Sequence, residues 1–352
     1  MLTLDPIIFK LESQIPYVSP DQAIALFDAE AKEHNLVLAP LGKDQYRIET
    51  PMGMIDLLTH GDAVRLKISS PNKEALYLLK EGVDDHIGHS TNHSQEPLQW
   101  RGDLPAGETP PNFREVSVTS TQPIGRTFVR VTVRGKGIER FFDTGMHFRL
   151  VFPKQAGSVP VWPYLDEAGR TVWPKGEQEL MRPVYTVRKI DKEIPAFDFD
   201  VFLHEGGPTA DWASQAKEGD KVGLMGPSGG WIPEADNILI AGDETAIPAI
   251  SRILETIPVS TKGTVFLSIE KEGDQIPVTH SPSISVEWVI RDGRSHECLL
   301  DQAKKAELPE GKGAFVWLAA KKSVARKAKH YFRDEKGFNT KNSYIAGYWE
   351  EV

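Results

Sequence analysis

Cysteine is nearly absent: Cys298 is the single one in 352 residues. That excludes an internal disulfide and offers no cluster for zinc or iron–sulfur ligation, and Cys298 itself reads as a small packed residue. No run of 18 apolar residues occurs, so no segment predicts a membrane-spanning helix. Residues 1–6 show no basic region followed by an apolar core, so no secretory signal is expected. Basic charge is also short. Forty-one Lys and Arg against 50 Asp and Glu leave a net charge of -9, which argues against generic nucleic-acid binding. No heptad or long exposed apolar stripe marks an oligomer interface, so oligomeric state stays open. Together these absences predict a soluble chain in a reducing compartment, the cytoplasm, without stable membrane insertion.

What is present falls into three stretches and a break. Residues 1–90 read as a small α+β domain. Ser19-Pro20-Asp21 sets a capping hydroxyl before a proline at the first helical position. Ala23, Ile24, Leu26, Phe27 and Ala31 then form one helical face. Strands are predicted over 36–41, 45–50, 54–58 and 64–68, and Ser70-Pro71-Asn72 repeats the cap-plus-proline start for a second helix. Residues 91–112, polar and punctuated by Pro97, Pro105, Pro110 and Pro111, read as a linker or surface wrap. Residues 113–232 carry short alternating segments at 115–119, 127–133, 147–152, 184–190, 197–203 and 221–225, which suggests a small antiparallel barrel with one late helix. Residues 233–352 alternate apolar strands (238–241, 264–269, 286–290, 315–319) with helices (245–257, 296–306, 324–332). That pattern predicts a parallel α/β sheet, whose ligands sit at the carboxyl ends of the strands.

Two segments carry most of the chemistry. In Arg182-Pro-Val-Tyr185-Thr186-Val-Arg188 one predicted strand supplies cations, a flat ring and a hydroxyl. A flavin needs a cation for its pyrophosphate, a surface to lie against and a polar group near N5, and these residue types answer all three. The plainer alternative is a strand with two arginines facing solvent. In His204-Glu-Gly-Gly207-Pro208-Thr209-Ala-Asp-Trp212-Ala213 a strand ends, glycines turn the chain and a helix opens, leaving free N–H groups for an anion. An ordinary capped turn is the alternative there. A third feature, the basic run Lys321, Lys322, Arg326, Lys327 and Lys329, is either a solvated helix face or an anion-attracting patch.

With these residues in place the chain resembles the siderophore-interacting proteins, a branch of the ferredoxin–NADP reductase superfamily. Tyr185, Thr186 and Arg188 match the family's Arg-x-Tyr-Thr-x-Arg flavin motif in register, with Arg182 one residue further out than the pattern asks. His204, Gly207, Pro208, Trp212 and Ala213 match its second motif. Gly242-Asp243-Glu244-Thr245-Ala246 opens its nucleotide domain, and Gly347-Tyr348-Trp349 closes it. The resemblance covers roughly 113–352. Residues 1–90 resemble a small domain of unassigned function sometimes fused ahead of such reductases.

The resemblance implies a multidomain fold: a small α+β domain (1–90), a linker (91–112), an antiparallel FAD-binding barrel (113–232) and an NAD(P)H-binding α/β domain (233–352). It implies FAD between the last two, with Arg182 on pyrophosphate, Tyr185 packed on the flavin and Thr186 near N5. Arg188, His204, Gly207, Thr209, Trp212 and Trp349 complete the flavin side. NADPH or NADH would dock at Gly242, Asp243, Glu244 and Thr245, with Tyr185, Thr186 and Thr245 nearest the chemistry. The residues themselves add a caution, since Asp243 and Glu244 are poor neighbours for phosphate; Arg291 is therefore a candidate for the adenosine phosphate, or simply a surface charge. Where the family reads Trp-Leu-Ala-Gly-Glu, this chain reads Trp317-Leu-Ala-Ala320-Lys321-Lys322, and the two lysines are candidates to attract an anionic ferric siderophore. The implied activity is reduction of a ferric siderophore by NAD(P)H through FAD, releasing Fe(II). A general flavin or ferric-chelate reductase, or a siderophore-binding protein without turnover, are the alternatives. No catalytic triad is required; His147 and His204 are read as packed residues before proton donors.

Overall fold

A computed structural model describes residues 8–34, 36–91, 98–143 and 145–351. Residues 1–6 and the part of the expected linker at 92–97 lie outside them. The chain divides into two compact units, Met1–Phe113 with Val159–Leu180, and Arg114–Ser158 with Met181–Val352.

In the first unit a six-stranded sheet runs in the order Leu38–Gly42, Gln45–Thr50, Gly53–His60, Ala63–Ser70, Phe9–Ile15, Arg101–Gly102. The Phe9–Ile15 strand was not expected; its alternation turns Leu11, Ser13 and Ile15 inward. The helix Pro20–Glu33 starts on the expected cap. Ser19 Oγ accepts from Gln22 N at 3.3 Å and Gln22 Oε1 accepts from Ser19 N at 2.9 Å, a reciprocal box. The second helix, Lys73–Thr91, starts differently from expectation. Asn72 Oδ1 accepts from Ala75 N at 2.8 Å, while the Ser70 hydroxyl turns away to donate to the Met52 carbonyl at 2.7 Å.

The expected linker is also corrected where the structure describes it. Leu98, Trp100 and Leu104 are buried in the first unit's core, and Trp100 Nε1 donates to Asp84 at 2.8 Å. Burying an indole outweighs the polarity of its neighbours. A second segment reaches this core from far along the chain. Leu165 is buried in it, Leu165 N donates to the Glu108 carbonyl, and Tyr77 Oη meets Thr171 Oγ1 at 2.7 Å. Lys80, 1% exposed, lies between Glu81 (2.7 Å) and Asp84 (3.0 Å), so the buried ammonium is paired.

The second unit holds two sheets. The first runs His147–Pro153, Lys221–Ser228, Phe113–Ile124, Phe128–Arg134, Ala196–Phe202, Lys189–Asp191. The expected single strand over 184–190 is two short ones. Val184–Thr186 pairs with His147–Pro153, whereas Lys189–Asp191 pairs with Ala196–Phe202, so this segment joins the two ends of the sheet. Inside, Phe148 packs on Phe197 (5.1 Å) and Phe199 (5.3 Å). The helix Pro208–Gln215 follows Gly207, with proline in its first turn.

The second sheet is parallel throughout, in the order Ile284–Ile290, Lys262–Ile269, Asn237–Gly242, Ala314–Lys321, Ser343–Trp349. The motif Gly347-Tyr348-Trp349 forms the end of the sheet's last strand. Apolar clusters cover both faces, one under Ile247–Thr256 and the other under Cys298–Lys305 and Lys322–Lys329. Cys298 packs against the latter, and burial raises its thiol pKa, as a packed residue requires. Connections leave Asn237–Gly242 in both directions, which puts a topological switch point between it and Ala314–Lys321.

Candidate active site

A cavity of about 510 Å³ opens within the second unit. Its walls come from the Val184–Thr186 strand and the residues before it, and from the tips of the parallel strands. Seven expected residues line it: Arg182, Tyr185, Thr186, His204, Glu244, Thr245 and Trp349. Tyr185 is held by a hydrogen bond to Thr209, and burial pushes its pKa up to about 12, so it stays a neutral aromatic wall. Thr209 is itself buried and does not line the cavity. Gly207 likewise acts on a neighbour. A Cβ there would stand 2.5 Å from His204 Cε1, so glycine lets the imidazole fold back; the ring then stacks 5.8 Å from Phe202.

The structure adds a polar chain that the motifs did not reveal. His147, 7% exposed, places Nδ1 3.2 Å from Thr186 Oγ1 and Nε2 3.1 Å from Tyr348 Oη. Burial, reinforced by the Arg252 charge, lowers its pKa to about 4. A neutral ring meets both contacts, one nitrogen donating and the other accepting. Tyr348 is also hydrogen-bonded to Tyr344, whose ring stacks on Trp317 at 5.3 Å.

At the switch point Asp243 is a structural clamp. Its Oδ1 accepts from Thr245 N (3.1 Å) and Thr245 Oγ1 (2.6 Å); its Oδ2 accepts from Lys321 N (2.9 Å) and Trp349 Nε1 (2.8 Å). One carboxylate thus ties three strand tips together with four donors, which offsets the cost of burying it. Gly242 serves packing, because a Cβ would lie 2.7 Å from the Ala246 methyl.

Comparison with known proteins agrees with this arrangement. Residues 117–231 match the siderophore-interacting FAD-binding domain, and 235–352 match the siderophore-interacting protein model. A ferric vibriobactin reductase of Vibrio cholerae is 30% identical over 234 residues, 64% of this chain and 85% of that one. The chain belongs to the siderophore-interacting protein family. Another similar relative, an NADPH-dependent ferric-chelate reductase of Escherichia coli, is 28% identical over 269 residues, 73% of this chain and 98% of its own. Among solved structures, a siderophore utilization protein from T. fusca superposes with a TM-score of 0.62 at 25% identity, covering 70% of this chain and 96% of that one. The siderophore-interacting protein of Aeromonas hydrophila shares the fold, with a TM-score of 0.59 at 22% identity, over 68% and 92% of the two chains.

Four expectations, two implied by the family resemblance and two read from the residues themselves, fall on side chains outside the cavity lining. Arg188 does not line the cavity and is paired through two 2.7 Å hydrogen bonds with Glu255. Trp212 packs into the core between Phe152 (5.1 Å) and Phe199 (6.3 Å). Arg291 is 4% exposed and its guanidinium is already engaged by Glu244 at 2.6 and 2.9 Å. Lys321 and Lys322 do not line the cavity; each is paired at 2.6 Å, with Glu351 and Glu350 respectively. The methyl of Ala320 is 1% exposed in the core on one sheet face, so it too stays out of the cavity.

The residues that line the cavity suit a flavin dinucleotide. The guanidinium groups of Arg149 and Arg182 suit pyrophosphate, Tyr185 suits the ring system, and Thr186 offers a hydroxyl, all around one cavity of cofactor-site size. No helix among the described residues is long and apolar enough to cross a membrane.

Proposed function

We propose that the protein is an FAD-dependent NAD(P)H:ferric-siderophore oxidoreductase, working in the cytoplasm, where reduced nicotinamide nucleotide is supplied. The observation that carries this reading is the cavity itself, bounded on one side by Arg182, Tyr185 and Thr186 and on the other by Glu244, Thr245 and Trp349. The relatives named for ferric vibriobactin and ferric-chelate reduction support it.

Bound FAD would supply the chemistry that amino acids lack, accepting an electron pair from a nicotinamide and passing electrons singly to iron(III). The chain's own residues bind, orient and enclose. Arg182 and Arg149 neutralise phosphate charge. Tyr185, fixed by Thr209, presents a rigid aromatic surface. Thr186 offers a hydroxyl whose direction is set by His147. Asp243 holds the strand tips so that Thr245 and Trp349 face the cavity together. Iron reduced to the ferrous state is bound less tightly by hard oxygen chelators, so release follows reduction without an acid–base pair.

A second reading, a ferric-chelate reductase with little siderophore preference, is favoured by the pairing of Lys321 and Lys322 with glutamates, which removes the expected anion-attracting patch. An anaerobic absorbance titration tests both. Flavin that bleaches on adding NADH or NADPH, then recovers with a ferric siderophore as a ferrous chelator traps Fe(II), supports a reductase. Rates independent of the iron chelator favour the second reading. Flavin that neither nucleotide bleaches would overturn both and leave a binding protein.

A further inference from the structure

Thr186, His147 and Tyr348 all line the cavity and are joined in one hydrogen-bonded chain. His147 opens the strand His147–Pro153 and stands directly opposite Thr186 in the register of Val184–Thr186. Tyr348 comes from Ser343–Trp349, the closing strand of the parallel sheet, so the imidazole joins the two sheets. The ring is held closely. A Cβ at Gly230 would lie 2.7 Å from Nε2, and Ser228 Oγ donates to the His147 carbonyl at 3.3 Å.

Every member of this chain is neutral. Burial holds the imidazole unprotonated and raises the Tyr348 phenol well above its ordinary pKa. A neutral imidazole has one donor and one acceptor, whereas a hydroxyl can play either part. Two directions therefore satisfy the chain. With the proton on Nδ1, the ring donates to Thr186 Oγ1 and Nε2 accepts from Tyr348, which leaves the Thr186 hydrogen for an acceptor in the cavity. With the proton on Nε2, the ring donates to Tyr348, whose own hydrogen turns to Tyr344. Thr186 then donates to Nδ1, and its lone pairs are left for a donor in the cavity. The proton count is the same in both, so only the tautomer changes. The Tyr185 carbonyl is a further acceptor for the ring, so the two directions need not match in energy.

A flavin calls for such a reversal, because its N5 accepts a hydrogen bond when oxidised and carries a hydrogen when reduced. We propose that His147, backed by Tyr348, is a positioning residue that reverses the Thr186 hydroxyl as the flavin changes redox state, by exchanging its two neutral tautomers. This rests on FAD occupying the cavity with Thr186 at N5. The chain itself neither gives nor takes a proton.

The test uses the FAD-loaded protein. Nitrogen-15 NMR of histidine-labelled protein, with His147→Gln to assign the signal, reads the tautomer before and after anaerobic reduction with dithionite. The proton should sit on Nδ1 in the oxidised protein and on Nε2 in the reduced one; any other pattern overturns the proposal. Tyr348→Phe gives a second reading. It strands Nε2, and an unpaired buried N–H is less tolerated than an unpaired acceptor, so the direction that suits oxidised flavin gains. At a fixed potential the ratio of reduced to oxidised flavin should fall about fivefold, a midpoint lowered by about 20 mV for a two-electron couple. Thr186→Val removes the hydroxyl through which this effect must pass, so adding Tyr348→Phe to it should not move the midpoint further. A Tyr348→Phe midpoint that is unchanged or raised, or a shift that persists beside Thr186→Val, overturns the proposal while the reductase reading stands. Protein that binds no FAD removes the flavin reading and the proposal together.

Discussion

Both units hold a buried cation between two carboxylates. In the first, Lys80 (side chain 1% exposed) sits with Asp84 and with Glu81, whose side chain is 44% exposed. In the second, Arg291 (5%) sits with Glu244 and with Glu270, whose side chain is 43% exposed. By burial and pairing the two are near twins, yet their surroundings differ. Lys80 lies on a helix face closed over by Tyr77 and Trp100, and the Lys80–Asp84 pair helps to seat that helix. Arg291 lies at the carboxyl edge of a parallel sheet, where ligands of such sheets bind. A buried ion pair alone therefore does not mark a site; its position in the topology does.

The sharpest way to break this comparison is to remove the cations. Arg291→Ala and Lys80→Ala should each cost about 3–5 kcal/mol, because each strands a carboxylate. Chemical denaturation measures the loss. Replacing whole pairs separates the twins: Lys80→Met with Asp84→Asn, which keeps an acceptor for Trp100 Nε1, should roughly restore stability with nucleotide binding intact, while Arg291→Met with Glu244→Leu should restore stability but alter nucleotide affinity. Equal nucleotide affinity in both double variants would erase the distinction drawn here.

A buried group that is kept neutral makes a useful contrast. His147 has a pKa near 4 in the folded chain against 6.5 for a free imidazole. Below 6.5 the unfolded chain takes up a proton that the folded one refuses, so stability falls as pH drops from 6.5 to about 4, by about 3 kcal/mol in all. Denaturation midpoints against pH for the wild type and His147→Gln should show that slope in the first only. Asp243→Asn, which turns an amide N–H₂ toward N–H donors at one oxygen's place, should cost about 1–3 kcal/mol. At the small end, Lys322→Gln should change stability by less than about 0.5 kcal/mol, since its partner Glu350 is also well exposed. A larger loss on thermal melting would show that the strand-end lysines are more than surface charge.

Local chemistry was legible in the sequence, and long-range pairing was not. The Ser19 cap depends on residues three apart, and the Tyr185-Thr186 pair sits on a strand whose motif is contiguous. Thr186 reaches the cavity as the motif implies, but the partner that orients it, His147, and the phenol of Tyr348 are 201 positions apart from each other. The signals existed, as a histidine opening one strand and a tyrosine in the closing motif, without any rule to join them. Arg291 looked like a free cation because its partner Glu244 lies 47 positions earlier. Lys321 and Lys322 looked like an open patch for the same reason. Asn72 displaced Ser70 as the cap because the serine hydroxyl had a backbone carbonyl to reach across the sheet edge, a choice that only the fold presents.

The segment Val159–Leu180 has a consequence for how the protein is made. It completes the first unit, yet it is synthesised after the strand His147–Pro153 of the second. As the chain leaves the ribosome, Tyr77 waits for Thr171 and the core around Trp100 waits for Leu165. The two units cannot mature one after the other in the simple amino-to-carboxyl order usual for multidomain chains. Their folding is interleaved, so a chaperone or protease meeting the nascent chain before Leu180 has emerged encounters both units unfinished.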